Sequence, residues 1–286
     1  MFPIIDCHCH IYPSKIADKA VMGIGNFYHI GMCYDGRLET LTKENKDNGI
    51  THSLIFSVAT KPSQTQSINA FIADNVSQNP EAFTGLGTLH PDSDDLKGDI
   101  EHIIELGLKG VKLHPDIQGI SLEDKRCFKI YELCEGRLPI LLHTGDKRYD
   151  FSNPKELKTV LDTFKDLTVI GAHFSGYSVW DEVEDTLSGY KNLFVDCSSS
   201  MPFMTREKAK ELVRFFGADK VLFGTDFPMW KIKDELCRFE SLGLTTEEKE
   251  KIYYLNACKL FKIDQQKILE KFKKDKKMLD KDLLQE

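Results

Sequence analysis

The sequence predicts an α/β protein: a closed (β/α)8 barrel, or TIM barrel, with an insertion after strand one and a helix at the C-terminus. Three observations carry this. Eight short apolar runs recur along the 286 residues, each bounded by polar or turn residues, and their length and β-branched and aromatic content mark them as strands. The segments between them place apolar residues at helical spacing, and strand–helix alternation indicates βαβ units on a parallel sheet. The chain length also falls in the range of one such barrel.

The strands are PIIDCHCH (3–10), HSLIFSV (52–58), FTGLGTLHP (83–91), LKGVKLHP (108–115), PILLHTG (139–145), TVIGAHF (168–174), NLFVDCS (192–198) and KVLFGTDFP (220–228). Between them, SINAFIADNVSQNP repeats Ile68, Phe71, Ile72 and Val76 at helical spacing, and DIEHIIELG ends on Gly107 as a C-cap. SNPKELKTVLDTF offers Ser152 or Asn153 as N-cap with Pro154 in the first turn. Residues 11–42 exceed the plan and read as a lid or substrate loop, because the Gly-x-Gly of GIGNFYHIG neither follows a strand nor opens a clear helix. Ile268, Leu269, Phe272, Leu279 and Leu283 mark an amphipathic C-terminal helix. With no linker or repeat, the chain reads as a single domain over 1–286, its barrel about 3–261 and a helical extension 262–286.

Composition narrows the function. The net charge is -7 and no basic stripe offsets it, which argues against a nucleic-acid partner. The lysines of FKKDKKMLDKD alternate with acids and read as a solvated helix face. No apolar run is long enough to span a membrane, and no basic segment precedes the first strand, so a cytoplasmic location is expected. Eight cysteines in a chain of this length point to free thiols in a reducing compartment.

The chemistry lies at the strand ends. In IIDCHCH, strand alternation puts Asp6, His8 and His10 on one face, and Cys7 and Cys9 on the other as apolar fillers beneath the helices. His8, His10, His114, His143 and His173 end strands one, four, five and six, and Asp226 ends strand eight. The active site of such a barrel lies at this C-terminal face. His90, before Pro91, reads as a turn residue, and His29, His52 and His102 as structural or exposed. Asp196 on strand seven has no determined face.

Together IIDCHCH, GVKLHP, LLHTGD, VIGAHFSG, LFGTDFP and NACKLF resemble the amidohydrolase superfamily. More narrowly, they resemble the amidohydrolase-related (amidohydrolase 2) branch that includes the aminocarboxymuconate semialdehyde decarboxylases. The resemblance implies metal ligands at His8, His10, His143 and Asp226, with His173 orienting or polarising the attacking water and Asp226 also moving its proton. One divalent ion is implied, Zn²⁺ first and Mn²⁺, Fe²⁺ or Co²⁺ as alternatives, because imidazoles with one carboxylate suit these ions. Lys112 and His114 on strand four and Arg148 after strand five are the substrate-binding candidates, and Lys112 is also where binuclear relatives carry a carboxylated, metal-bridging lysine.

The expected function is a metal-dependent hydrolase that activates water against a small, carboxylate-bearing molecule. The alternative is a non-oxidative decarboxylase or hydratase on the same site. A TatD-like nuclease ranks lower, since that family places a glutamate on strand four where this chain has KLHP. A non-catalytic metal-binding or scaffold barrel also ranks low, and a metal-free barrel with a polar mouth lower still. The partner is then a small molecule, and a homodimer is common in the family resembled. Met229 and Trp230 are expected as an apolar wall of the site.

Overall fold

The computed structural model describes residues 2–282, and side chains through residue 278. Eight parallel strands follow the predicted order: β1 Ile5–His10, β2 His52–Phe56, β3 Phe83–Gly85 resuming as Gly87–Thr88, β4 Val111–Leu113, β5 Ile140–Leu142, β6 Val169–Gly171, β7 Leu193–Asp196 and β8 Val221–Leu222. Each pairs in parallel with the next. The break in β3 is bridged at Leu86, whose N–H bonds Ile55 O on β2 at 3.0 Å, while Gly87 N–H bonds Gly110 O beside β4 at 2.9 Å. Closure comes from Cys7 N–H to Phe223 O (2.8 Å) and His10 N–H to Phe227 O (2.7 Å). The chain is a (β/α)8 barrel.

The helices form where the sequence caps them. Asp95 accepts from Gly98 N–H at 2.9 Å at the start of Leu96–Glu105. Asn153 and Glu156 form a capping box at Pro154–Thr163, worth about 1 kcal/mol. These helices cover the strands through an outer apolar layer that includes Cys9, Ile55, Val111 and Leu142. A separate inner cluster of Ile5, Cys7, Leu54, Leu86, Leu141 and Ile170 packs with Tyr254, Ala257 and Phe261 of the closing helical segment, and with Ile268 of the C-terminal helix Gln265–Asp282. Each such aliphatic side chain, fully buried, contributes roughly 1.5–3 kcal/mol. Leu283, read as part of that helix's apolar face, lies outside the described residues, and so does the side chain of Leu279.

Two expectations are corrected. The insertion is not an open loop: it contains helix α1, Ala17–Tyr28, before the first barrel helix Leu38–Asn48. Gly23 and Gly25 each cost a helix about 1 kcal/mol relative to alanine, which hid α1, but Ala20, Ile24, Phe27 and Tyr28 recur on one face and line a common cavity. Strand alternation also fails in β1. Asp6 pairs with Ser53 and Cys9 with Ile55, so β1 carries one residue more than β2 over this span, a bulge. Cys7 therefore joins the inner cluster and Cys9 the outer one. Asp6 leaves the histidine face and accepts from Thr225 Oγ1 at 2.5 Å and from the N–H groups of Thr225 (3.0 Å) and His8 (3.1 Å).

One buried carboxyl gives the fold a pH dependence. Glu235 is fully buried; its Oε1 accepts from Arg238 at 2.5 Å and its Oε2 has no partner among the described residues. Burial pushes its pKa up from 4.5 to about 7, against the pull of Arg238. A raised carboxyl pKa means that the folded state holds a proton the unfolded chain has released. Its contribution is thus full below about 4.5 and is lost as pH rises through about 7. Glu235→Gln is expected to flatten the decline of Tm between those values by a few degrees, read by thermal melts across pH; an unchanged slope would show that Glu235 does not carry it.

Candidate active site

The site assembles where β1, β5, β6, β7 and the segment after β8 meet. After the bulge, His8 and His10 stand at the mouth of the barrel. Gly224 lets the end of β8 approach them, since a Cβ there would lie 3.0 Å from His8 Cβ and 3.2 Å from Ser198 Cβ. His8 Nδ1 donates to Asp196 Oδ2 at 2.9 Å. Asp196 Oδ1 accepts from Ser198 Oγ (2.5 Å), Ser198 N–H (3.0 Å) and His173 N–H (3.2 Å). As an acceptor, the carboxylate fixes the His8 proton on Nδ1 and leaves the Nε2 lone pair facing the mouth. Asp196, undetermined from sequence, thus points inward and orients His8.

Three donor atoms then converge. His8 Nε2 lies 3.3 Å from His10 Nε2 and 3.4 Å from Asp226 Oδ1, and His10 Nε2 lies 3.6 Å from the same oxygen. Ligands about 2.1 Å from a tetrahedral ion stand about 3.4 Å apart, so the set fits a divalent ion. Burial holds both imidazoles well below their usual pKa, His8 aided by Lys112 and His10 by His8 and Lys112. Neutral imidazole is the form that ligates.

His143 and His173 stand beside this trio. His173 Nδ1 faces Ser198 O at 2.9 Å, which leaves Nε2 as acceptor toward His143 Nδ1 at 3.1 Å. His173, Phe174 and Ser175 all adopt left-handed backbone, with φ of 59°, 52° and 58°. Such strain in non-glycine residues gathers at functional sites. The His143 ring stacks on His114, centroids 3.9 Å apart and planes at 8°. Its Nε2 lies 3.4 Å from Tyr28 Oη and 3.6 Å from Asp116 Oδ2.

The substrate-binding candidates part company. His114 lines the cavity: its Nδ1 accepts from Ile117 N–H at 3.3 Å, and its Nε2 lies 2.7 Å from Tyr28 Oη. Lys112 is fully buried and outside the lining; its Nζ has no hydrogen-bond partner among the described residues and sits 5.5 Å from the Phe56 centroid. Burial lowers its pKa from 10.5 to about 8, opposed by Asp196 and Asp226. Arg148 is also outside the lining. Asp146 holds its guanidinium at 2.6 and 2.9 Å, and it bonds Phe27 O at 2.5 Å, so it fastens the end of α1 to the loop after β5.

Above the trio lies a cavity of about 730 Å³. Its floor is His8, His10, His114, His143, His173 and Asp226; its walls include Ile16, Ile24 and Phe27 on the insertion, with Ile117 and Met229 opposite. Among the described residues, Lys19 is the single lysine or arginine in the lining. Met229 forms part of the expected apolar wall, while Trp230 does not line the cavity. Tyr28, Asp116 and Ser199 escaped the sequence reading; for Tyr28 the usable signal was its spacing from Ala20 and Ile24.

A barrel with histidines and an aspartate gathered at its C-terminal mouth matches the architecture of the amidohydrolases. The chain belongs to the amidohydrolase family, whose profile matches residues 5–263. It is 30% identical over 145 residues to a 2-amino-3-carboxymuconate-6-semialdehyde decarboxylase of Dictyostelium discoideum, a match spanning 46% of this chain and 38% of that protein. In structure it is similar to a TIM-barrel protein of Bordetella bronchiseptica (TM-score 0.76, 22% identity, 92% of this chain and 99% of the other). A dihydroxybenzoic acid decarboxylase of Polaromonas with bound manganese and the inhibitor 2-nitroresorcinol is also similar (TM-score 0.70, 16% identity, 92% and 98%). Among the described residues, no helix is long and apolar enough to cross a membrane.

Proposed function

We propose that this chain is a divalent-metal-dependent decarboxylase acting on a small carboxylate whose body is apolar or aromatic. The observation that carries this reading is the cavity: apolar walls enclose a floor of neutral histidines and Asp226, with Lys19 alone supplying a fixed cation. A carboxylate entering such a space loses its water. Loss of CO₂ disperses the charge that dehydration has destabilised, so an apolar enclosure favours this step. Hydrolysis has no comparable need for dry walls. The Dictyostelium relative bears the name of a decarboxylase, which supports the same choice.

His8, His10 and Asp226 would hold the ion, with His143 the further candidate ligand. When bound, the ion supplies positive charge that anchors and polarises the substrate's anionic oxygens. The chain's own residues do the rest. Asp196 keeps His8 in its ligating tautomer, α1 and Met229 wall the cavity, and His173, with its Nδ1 proton on the Ser198 carbonyl, carries its lone pair on Nε2, the atom that would first take up a proton and then pass it to the substrate carbon as CO₂ leaves. The ion of the Polaromonas structure makes Mn²⁺ the first to load, beside Zn²⁺.

The test is headspace CO₂ measured over Mn²⁺-loaded protein given a panel of aromatic carboxylates, 2,6-dihydroxybenzoate among them. CO₂ release with at least one member is expected. Turnover of lactones or amides with no CO₂ from any carboxylate would replace this reading with the hydrolase. One observation favours that second reading: the Lys112 Nζ on β4, unpartnered among the described residues, where a carboxylated lysine would bridge two ions.

A further inference from the structure

Behind Asp226, away from the cavity, runs a chain of donors that neither the family nor the proposed reaction assigns. Trp230 Nε1 lies 2.8 Å from Ser199 Oγ, and Ser199 Oγ bonds Asp226 Oδ2. The direction of this relay follows from chemistry. An indole N–H only donates, so the Ser199 oxygen accepts from Trp230. Ser199 has one proton; the carboxylate Oδ2 is a stronger acceptor than the thioether sulfur of Met229 at 3.5 Å, so Ser199 donates it to Oδ2. The relay reads Trp230 to Ser199 to Asp226 and has no reversed form while Asp226 is ionised.

The backbone is bent to make it. Ser199 and Asp226 are both non-glycine residues in left-handed conformation, with φ of 48° and 60°. Each costs of order 1 kcal/mol or more and persists where surrounding contacts over-determine it. Ser199 is 1% exposed and Asp226 7%, so water does not compete for these bonds. Trp230 is steadied in turn by Phe203, ring against edge at 5.6 Å.

We infer that Ser199 and Trp230 are positioning residues that reduce Asp226 to a one-oxygen metal ligand. The inference rests on the metal centre proposed above. With Oδ2 engaged, Oδ1 is the oxygen left to face His8 Nε2 and His10 Nε2, at 3.4 and 3.6 Å. A carboxylate so held cannot rotate to grip the ion with both oxygens, and the freed coordination position stays available to substrate. The relay also occupies the oxygen that would otherwise serve as a general base. The two residues act through Asp226 and touch no reacting atom.

The test uses Ser199→Ala, Ser199→Gly and Trp230→Phe in the full chain, with Mn²⁺ affinity read by electron paramagnetic resonance of the free ion. The visible spectrum of the Co²⁺-loaded protein is read beside it. Glycine removes the hydroxyl but also relieves the left-handed strain, so it separates loss of the hydrogen bond from loss of fold. Removing a group that orients a ligand typically costs 10–100-fold in metal affinity. Ser199→Ala and Ser199→Gly are both expected to lose roughly 10-fold or more, and the Co²⁺ absorption to weaken as a second carboxylate oxygen joins the ion. Trp230→Phe should show a smaller loss of the same sign. A Ser199→Gly protein that binds Mn²⁺ within twofold of the parent, with an unchanged Co²⁺ spectrum, would overturn the inference. A parent chain that takes up neither ion would overturn the metal centre itself, and this inference with it.

Discussion

His8→Ala/His10→Ala is expected to lose divalent-ion binding by roughly four orders of magnitude, and turnover with it. The estimate follows from zinc-site energies of about 10–16 kcal/mol spread over four ligands, so that two ligands carry roughly 6 kcal/mol. The fold should survive. Among the described residues, the His10 side chain makes no hydrogen bond or ion pair beyond the ligand trio, whereas His8 also donates to Asp196. Removing that donor leaves a fully buried carboxylate one bond short, at a cost of about 1–3 kcal/mol. His10→Ala alone therefore separates the two effects. It should bind the ion far more weakly while melting close to the parent. Isothermal titration with Mn²⁺ beside a thermal melt reads both, and a His10→Ala protein with parental affinity would remove His10 from the centre.

Asp226→Asn carries the second large effect. The amide matches the carboxylate in shape but not in charge or in hydrogen-bond sense. If its oxygen keeps facing His8 and His10, its NH₂ meets Ser199 Oγ, which already accepts from Trp230. Ser199 would then receive two donors, and its own proton would be left with the thioether sulfur of Met229, 3.5 Å away, a weak acceptor. If the amide flips, the NH₂ faces the ion. Either arrangement costs energy, so much of the metal should remain at saturating Mn²⁺ while turnover falls about 1000-fold or more, equivalent to at least ~4 kcal/mol of barrier. Normal turnover by this variant would show that the carboxylate's charge has no part in the reaction.

The strand ends were legible because barrel strands are short apolar runs whose last polar residues have one place to go. His8, His10 and Asp226 converge from opposite ends of the sequence for that reason, and β1 and β8 are neighbours only because the barrel closes. The faces within β1 were not legible. One extra residue between Asp6 and Cys9 reverses the alternation, and nothing in IIDCHCH distinguishes a bulged strand from a regular one. Helix α1 was hidden by its glycines, though its apolar spacing recorded it. In the sequence Arg148 reads as a carboxylate contact because its guanidinium suits one; in the fold it pairs with Asp146, two residues earlier, and lies outside the cavity lining. Ser199 and Trp230 are 31 residues apart, and only the fold brings their polar atoms together. The lining of the cavity was closed to the sequence, because α1 supplies much of one wall.

The most direct test of the account is the metal stoichiometry of the full chain, loaded with Mn²⁺, freed of excess ion and analysed for manganese per polypeptide. One ion per chain is the predicted result, held by His8, His10 and Asp226. Two ions per chain, with the mass of a carboxylated Lys112, would contradict the single-ion decarboxylase and make the binuclear hydrolase the better description. No retained ion would contradict both.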